Sequence, residues 1–198
     1  MPLDFSVWLV ILGALALSNL PFLTDRPLAP WPWGQAYAGR DGWSRWALGL
    51  GFLVLLGMWS WGTLRLVGGA FGGVGSLFFL FKLAISLALV AGLMSVPGLL
   101  ARPQAWGADG AQALQGGAKP DGRPAVARKP ADPKPFIDRF LEALVGYVVV
   151  GTVGFTLELD LGNAFAQGWE FYAVTLALFL VLGYPGFVWH YLLHRRRK

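Results

Sequence analysis

The sequence predicts an all-α, polytopic membrane protein with five transmembrane helices, an outside N-terminus and a cytoplasmic C-terminus. Three observations predict it. Of 198 residues, 56% are hydrophobic and 14% charged, where soluble domains carry about 25% charged residues. The apolar residues gather into five runs of about 20, enough to cross a hydrocarbon core of roughly 30 Å. The basic residues gather in segments that alternate membership places on one side of a bilayer. Helices are the expected form, because backbone polar groups in lipid must find partners within their own segment.

The first run covers about 5–23, FSVWLVILGALALSNLPFL. Asp4 and no Lys or Arg precede it, which does not fit a secretory leader, so it reads as an uncleaved outside-in anchor. The second covers about 46–66. Gly68, Gly69, Gly72, Gly73 and Gly75 then make a permissive turn into the third, about 76–97. The segment 101–135 holds nine Ala, five Gly, six Pro and six Lys or Arg. It is too poor in large apolar side chains to offset its ordering entropy, and reads as a flexible basic cytoplasmic linker. The fourth run covers about 137–157. The fifth, about 169–193, has Glu170 at its head, Pro185 and Gly186 within it and HRRRK at its end. Glu170 sits where a helix dipole stabilises an acid. Pro185 predicts a kink near Val181 to Pro185. The organisation is therefore 1–100 with three spans, 101–135 as linker, and 136–198 with two spans.

Orientation follows from charge. With the N-terminus outside, 14 of the 16 Lys and Arg residues lie on the cytoplasmic side or at its boundary. Arg65 alone lies in an outside loop, and Lys82 lies within a span. Trp43, Trp46 and Trp189 fall at the inner boundary, with Trp61 and Trp169 at the outer one, as interfacial aromatic belts require. The arginine-rich tail is placed to meet anionic headgroups. The linker lacks the interleaved aromatics of a nucleic-acid groove, so no nucleic-acid partner is expected.

Few residues carry chemistry. Cysteine is absent, which excludes disulfides and thiolate metal sites. Lys82, within LFFLFKLAIS, has two readings: a cation paired with a partner's carboxylate or set in a proton path, or a stem that snorkels to the interface. Glu142 shares a helix face with Gly146, and Gly154 lies somewhat round from it. Arg139, three residues away, is its expected ion-pair partner, with a proton relay or subunit contact as the other reading. Ala84, Ala88 and Gly92 form a small-residue seam for close helix packing, within the chain or against another protein. Asn19, beside Ser18 and before Pro21, suits a helix cap or a helix–helix hydrogen bond. His190 and His194 have metal-ligand spacing, but their aromatic, basic helix end favours interfacial anchoring. There is no nucleophile–base pair, phosphate loop or paired acid set. The expectation is a non-catalytic protein without a cofactor.

Three stretches resemble a known family: VWLVILGALALSNLPFLTDR (7–26), FLEALVGYVVVGTVGFTLE (140–158) and AQGWEFYAVTLALFLVLGYPGFVWHYL (166–192). They are similar to the bacterial inner-membrane proteins grouped as domain of unknown function 2818. Members usually have three spans and about half this length, so 31–135 departs from the pattern by two spans and the linker. The resemblance places Asn19, Pro21, Glu142, Glu158, Gly168, Trp169, Glu170, Phe171, Tyr172, Pro185 and Gly186 on family positions. It gives Lys82 no counterpart and assigns no catalytic role. It implies a bacterial inner membrane and, by gene neighbourhood, a link to the proton-pumping NADH:quinone oxidoreductase. The expected function is thus an integral membrane accessory or assembly subunit, with other membrane subunits as partners. The alternative is a small transporter or ion-conducting protein using Lys82 and Glu142.

Overall fold

A computed structural model describes residues 3–24, 26–33, 37, 41–68, 76–115, 134–162 and 165–193. The remaining linker residues 116–133, the glycines from Gly69 to Gly75, and His194 with the basic tail after it lie outside the described residues. Described secondary structure is helical throughout: α1 (Leu3–Leu23), α2 (Gly42–Leu66), α3 (Ser76–Gln115), α4 (Phe136–Asp160), α5 (Trp169–Leu182) and α6 (Tyr184–Val188), closed by a π-helical turn, Trp189–Leu193. Among the described residues five helical stretches are long and apolar enough to cross a membrane: Asp4–Leu23, Gly42–Leu66, Leu77–Leu100, Phe136–Asp160 and Trp169–Leu193.

One boundary differs from the sequence reading, and the expected kink in the fifth stretch is present. Helix α3 continues past 97 to Gln115, into the segment read as linker. Apart from Pro103, that stretch is largely Ala, Gln and Leu with glycines between them; Ala, Gln and Leu are good helix formers that lose little freedom in a helix. The fifth stretch is broken, at Gly183, into α5 and α6. Pro185 supplies no N–H and its ring crowds the preceding turn.

Helix α4 is the centre. Half of its span is buried, against 17% of the fifth. Its buried positions recur at three- and four-residue steps, from Glu142 through Val145, Val149 and Thr152 to Thr156, the stripe that a helix at the middle of a bundle must present. One cluster joins Val145 and Val149 to Phe52 and Leu56 of α2, Val90 of α3 and Ala29 of the α1–α2 loop. A second joins Val153 and Leu157 to Phe79 and Leu83 of α3, with Leu9 and Val10 of α1 packed on it. A third sets Ala143 against Ala14 of α1 and Phe179 of α5. Buried and half-buried hydroxyls tie the same helices together. Ser60 and Thr152 are 2.7 Å apart, Thr63 and Ser86 2.6 Å, and the Trp59 indole N–H donates to the Ser86 carbonyl at 2.9 Å.

Contacts along α4 set the directions. Arg139 meets the end of α1, Gly146 meets Leu17 and Gly154 meets Val10, so α1 and α4 are antiparallel. Helices α2 and α4 run the same way, with Trp46 near the Trp33 that Asp138 holds and Ser60 beside Thr152. The bundle has an Arg139 end, where α1 finishes and α2 and α4 begin, and an opposite end where Lys82 lies.

Candidate functional site

The first turns of α4 place three ionisable side chains, Asp138, Arg139 and Glu142, against the end of α1 and the loop after it, and all three are buried. A helix leaves its last four carbonyls without internal partners. Arg139 fills that need for α1: its Nη1 donates to the carbonyls of Pro21 at 2.7 Å, Phe22 at 3.3 Å and Thr24 at 3.2 Å. Its positive charge also complements the negative end of the α1 dipole. Glu142 serves the loop in the opposite sense. Its Oε1 accepts the main-chain N–H of Leu28 at 2.8 Å and of Ala29 at 3.4 Å. Asp138 accepts the indole N–H of Trp33 at 2.8 Å, and Trp33 stacks on Trp31 with 5.8 Å between ring centroids.

The cation on Glu142 is Lys134, whose ammonium meets Oε2 and also donates to the Arg26 carbonyl at 3.1 Å. This corrects the expected pairing with Arg139. The reason is direction: the α1 carbonyls draw the guanidinium, while the chain entering α4 brings Lys134 over the carboxylate. Burial pushes the Lys134 ammonium below the ordinary lysine range, and the neighbouring Glu142 charge opposes that shift. The sequence reading places Lys134 in the linker. The available signal was its place two residues before the α4 start, within reach of the helix's first acids.

Asn19 builds a second polar contact, at the break in the fifth stretch. In an unbroken helix the Gly186 N–H would bond the Leu182 carbonyl four residues back. Here Asn19 comes between them. Its Nδ2 donates to Leu182 O at 2.8 Å and its Oδ1 accepts from Gly186 N at 2.6 Å. Nδ2 also reaches Leu15 O of its own helix at 2.7 Å. The carboxamide thus replaces one rung of the neighbouring helix. A Cβ added at Gly186 would lie 2.7 Å from Asn19 Oδ1 and 3.2 Å from Phe22 Cβ, so the glycine is what lets α1 approach. Gly146 does the same on α4, where a Cβ would meet Leu17 O at 3.2 Å and the Phe179 ring at 3.4 Å. Gly154 is looser, with Val10 3.9 Å away.

The other singled-out residues lie elsewhere. Lys82 is at the opposite end, where its Nζ lies 3.4 Å from the Leu66 carbonyl, at the end of α2, and 4.6 Å from the Phe78 ring centroid. Its stem points toward the start of α3, as helical side chains do, and the cation meets a helix terminus. Glu170 is exposed in the first turn of α5. Ala84, Ala88 and Gly92 all face outward from the bundle, and a Cβ at Gly92 would meet nothing within 4 Å. The His190 ring packs edge-on to Tyr191, 4.9 Å between centroids. Among the described residues no three His, Asp or Glu side chains gather as metal ligands.

Chemically, these arrangements hold helices to one another. Among the described residues, the opposite charges of Lys134 and Glu142 are paired and bonded to main-chain groups of Arg26, Leu28 and Ala29. The comparisons with known proteins agree with the resemblance over the C-terminal part. Residues 123–194 match the family model described as protein of unknown function (DUF2818). That segment contains α4, α5 and α6, with Glu142, Gly146, Glu170, Pro185 and Gly186; the similar stretch 7–26 lies outside it. No curated protein and no solved structure gives a significant match.

Proposed function

We propose that this chain is a non-catalytic subunit of the bacterial inner membrane that packs against other integral membrane proteins as an accessory or assembly factor. The observation that carries the reading is how its polar side chains are used. Asn19, Arg139 and Glu142 are buried and bonded to main-chain groups of neighbouring segments, so they act as clamps within the bundle. The outward surface, by contrast, is apolar, and on α3 it presents the small residues Ala84, Ala88 and Gly92. Small residues on an outward face let a second helix come close in lipid, where association depends on packing and not on hydrophobic exclusion.

The complex proposed is respiratory NADH:quinone oxidoreductase, which the resemblance implies by gene neighbourhood alone. Purification from native membranes in mild detergent, followed by mass spectrometry, tests this. Subunits of that complex should co-purify, and recovery with no respiratory subunit would overturn the assignment. The orientation places the Arg139 end and the tail after Leu193 in the cytoplasm, on the positive-inside bias. A reporter fused after Lys198 should be active on the cytoplasmic side only. Conduction through Lys82 and Glu142 is the lesser reading, because those groups are bonded at opposite ends of the bundle. Lys82→Met and Glu142→Gln should leave ion flux in proteoliposomes unchanged.

A further inference from the structure

In the second cluster Leu9 and Val10 of α1 pack against a buried group formed by Phe79 and Leu83 of α3 with Val153 and Leu157 of α4. Toward the Arg139 end, a groove of about 510 Å³ lies between α1 and α3. Leu17 and Leu20 of α1 form one wall, Leu87, Ala91 and Met94 of α3 the other, and Val149 of α4 the floor. The groove is apolar until its mouth, where Thr24 and Arg26 stand. Arg26 is exposed. Among the described residues its guanidinium has no hydrogen-bond or ion-pair partner, although its main chain is engaged.

We infer that this groove holds an acyl chain of one anionic phospholipid of the inner leaflet, with the lipid phosphate on Arg26. The inference rests on the membrane reading and orientation proposed above. Length supports it. Lining residues on α3 run from Leu87 to Leu99, twelve steps or about 18 Å at 1.5 Å each, close to the roughly 15 Å of one leaflet. The volume lies in the range of about 300–1,000 Å³ usual for sites that enclose a small molecule. Closure supports it too. A partner's transmembrane helix, about 10 Å across, needs a seam continuing through both leaflets. Toward the Lys82 end the lining on α3 begins at Leu87, which packs against the buried cluster of Phe79, Leu83, Val153 and Leu157. A wedge open at one membrane face and ending near mid-bilayer fits a lipid tail. Charge fixes the headgroup: an unpartnered guanidinium at the mouth is suited to bidentate binding of a phosphate oxygen pair.

The test uses the full chain in nanodiscs containing phosphatidylglycerol with a photoactivatable diazirine in its acyl chain. Parallel discs carry the same probe as phosphatidylcholine. Crosslinks should map to α3 between Leu87 and Leu99 and to the stretch from Leu17 of α1 to Thr24 just after it. Arg26→Gln should reduce phosphatidylglycerol labelling there by about fivefold, the weight of one basic residue at an anionic surface. It should leave phosphatidylcholine labelling unchanged. Ala91→Phe, which fills the groove, should abolish the signal at both helices. Should that variant fail to melt cooperatively, the Arg26→Gln comparison decides alone, since Arg26 supports no packing. Labelling no greater than on the outward face of α2 would overturn the inference, as would equal labelling by both lipids. An adduct to another polypeptide at these positions in native membranes would also overturn it, in favour of a protein occupant. Carbonate extraction separates the premises. A chain stripped from the vesicles refutes the membrane reading, whereas an embedded chain with an unlabelled groove refutes the lipid site alone.

Discussion

Glu142 and Lys134 show what a single side chain decides here. Glu142 is fully buried and Lys134 half-buried, so removing Lys134 strands the Glu142 charge at a cost of up to about 3–5 kcal/mol, and removing Glu142 strands the better-hydrated ammonium at less. Glu142→Leu and Lys134→Met should each lower the melting temperature in detergent. The double variant should cost less than the sum of the two, because no charge is then left buried. Glu142→Leu also strips the Leu28 and Ala29 N–H groups of their acceptor, so it should be the more damaging of the two. Glu142 was legible as an intramembrane acid facing protein. Its partner was not, because sequence spacing offered Arg139 on the same helix, while Lys134 precedes the helix and reaches back only through the path of the chain. Lys82 was legible as anomalous. Its engagement with the α2 terminus depended on where Leu66 ends.

At the scale of elements, the break between α5 and α6 is the informative case. Pro185 predicts it, yet a proline alone leaves polar main-chain groups to be satisfied, and Asn19 satisfies two of them. Asn19→Leu would leave the Leu182 carbonyl and Gly186 N–H buried without that partner, each worth about 1–3 kcal/mol. The variant should melt lower, and amide exchange around Gly186 should accelerate. Gly186→Ala and Gly92→Ala make a matched pair. The first drives a methyl into Asn19 and Phe22, where overpacking costs about 1–3 kcal/mol. The second enters open space and should leave the melting temperature of the isolated protein unchanged. The crossing of α1 over the fifth stretch was invisible in the sequence, since Asn19 and Gly186 are 167 residues apart. The extension of α3 to Gln115 shows the converse limit. Local helix preference overrode a composition that reads as a linker.

For the whole molecule, the contrast between inner and outward helix faces makes the last prediction. Replacing Ala88 by Trp on the outward face of α3 should leave the bundle's own melting behaviour intact while lowering recovery of co-purifying subunits several-fold. Loss of stability in the isolated chain would mean that the face is used internally. Equal recovery would place the partner contact elsewhere, against the proposed use of the small-residue face.

Composition and spacing were enough to read five apolar helical runs, basic residues concentrated on one side, and a proline that no straight helix tolerates. Those features are local, set by composition and by the length of each run. Tertiary structure alone decided that α4 is central, that Arg139 closes α1, that Lys134 answers Glu142, and that Asn19 replaces a rung of another helix. In apolar surroundings many helix pairings bury similar area, so hydrophobic pattern does not choose among them. The choice falls to a few polar groups that must find partners and a few glycines that permit contact, and both depend on which segments the folded chain brings side by side.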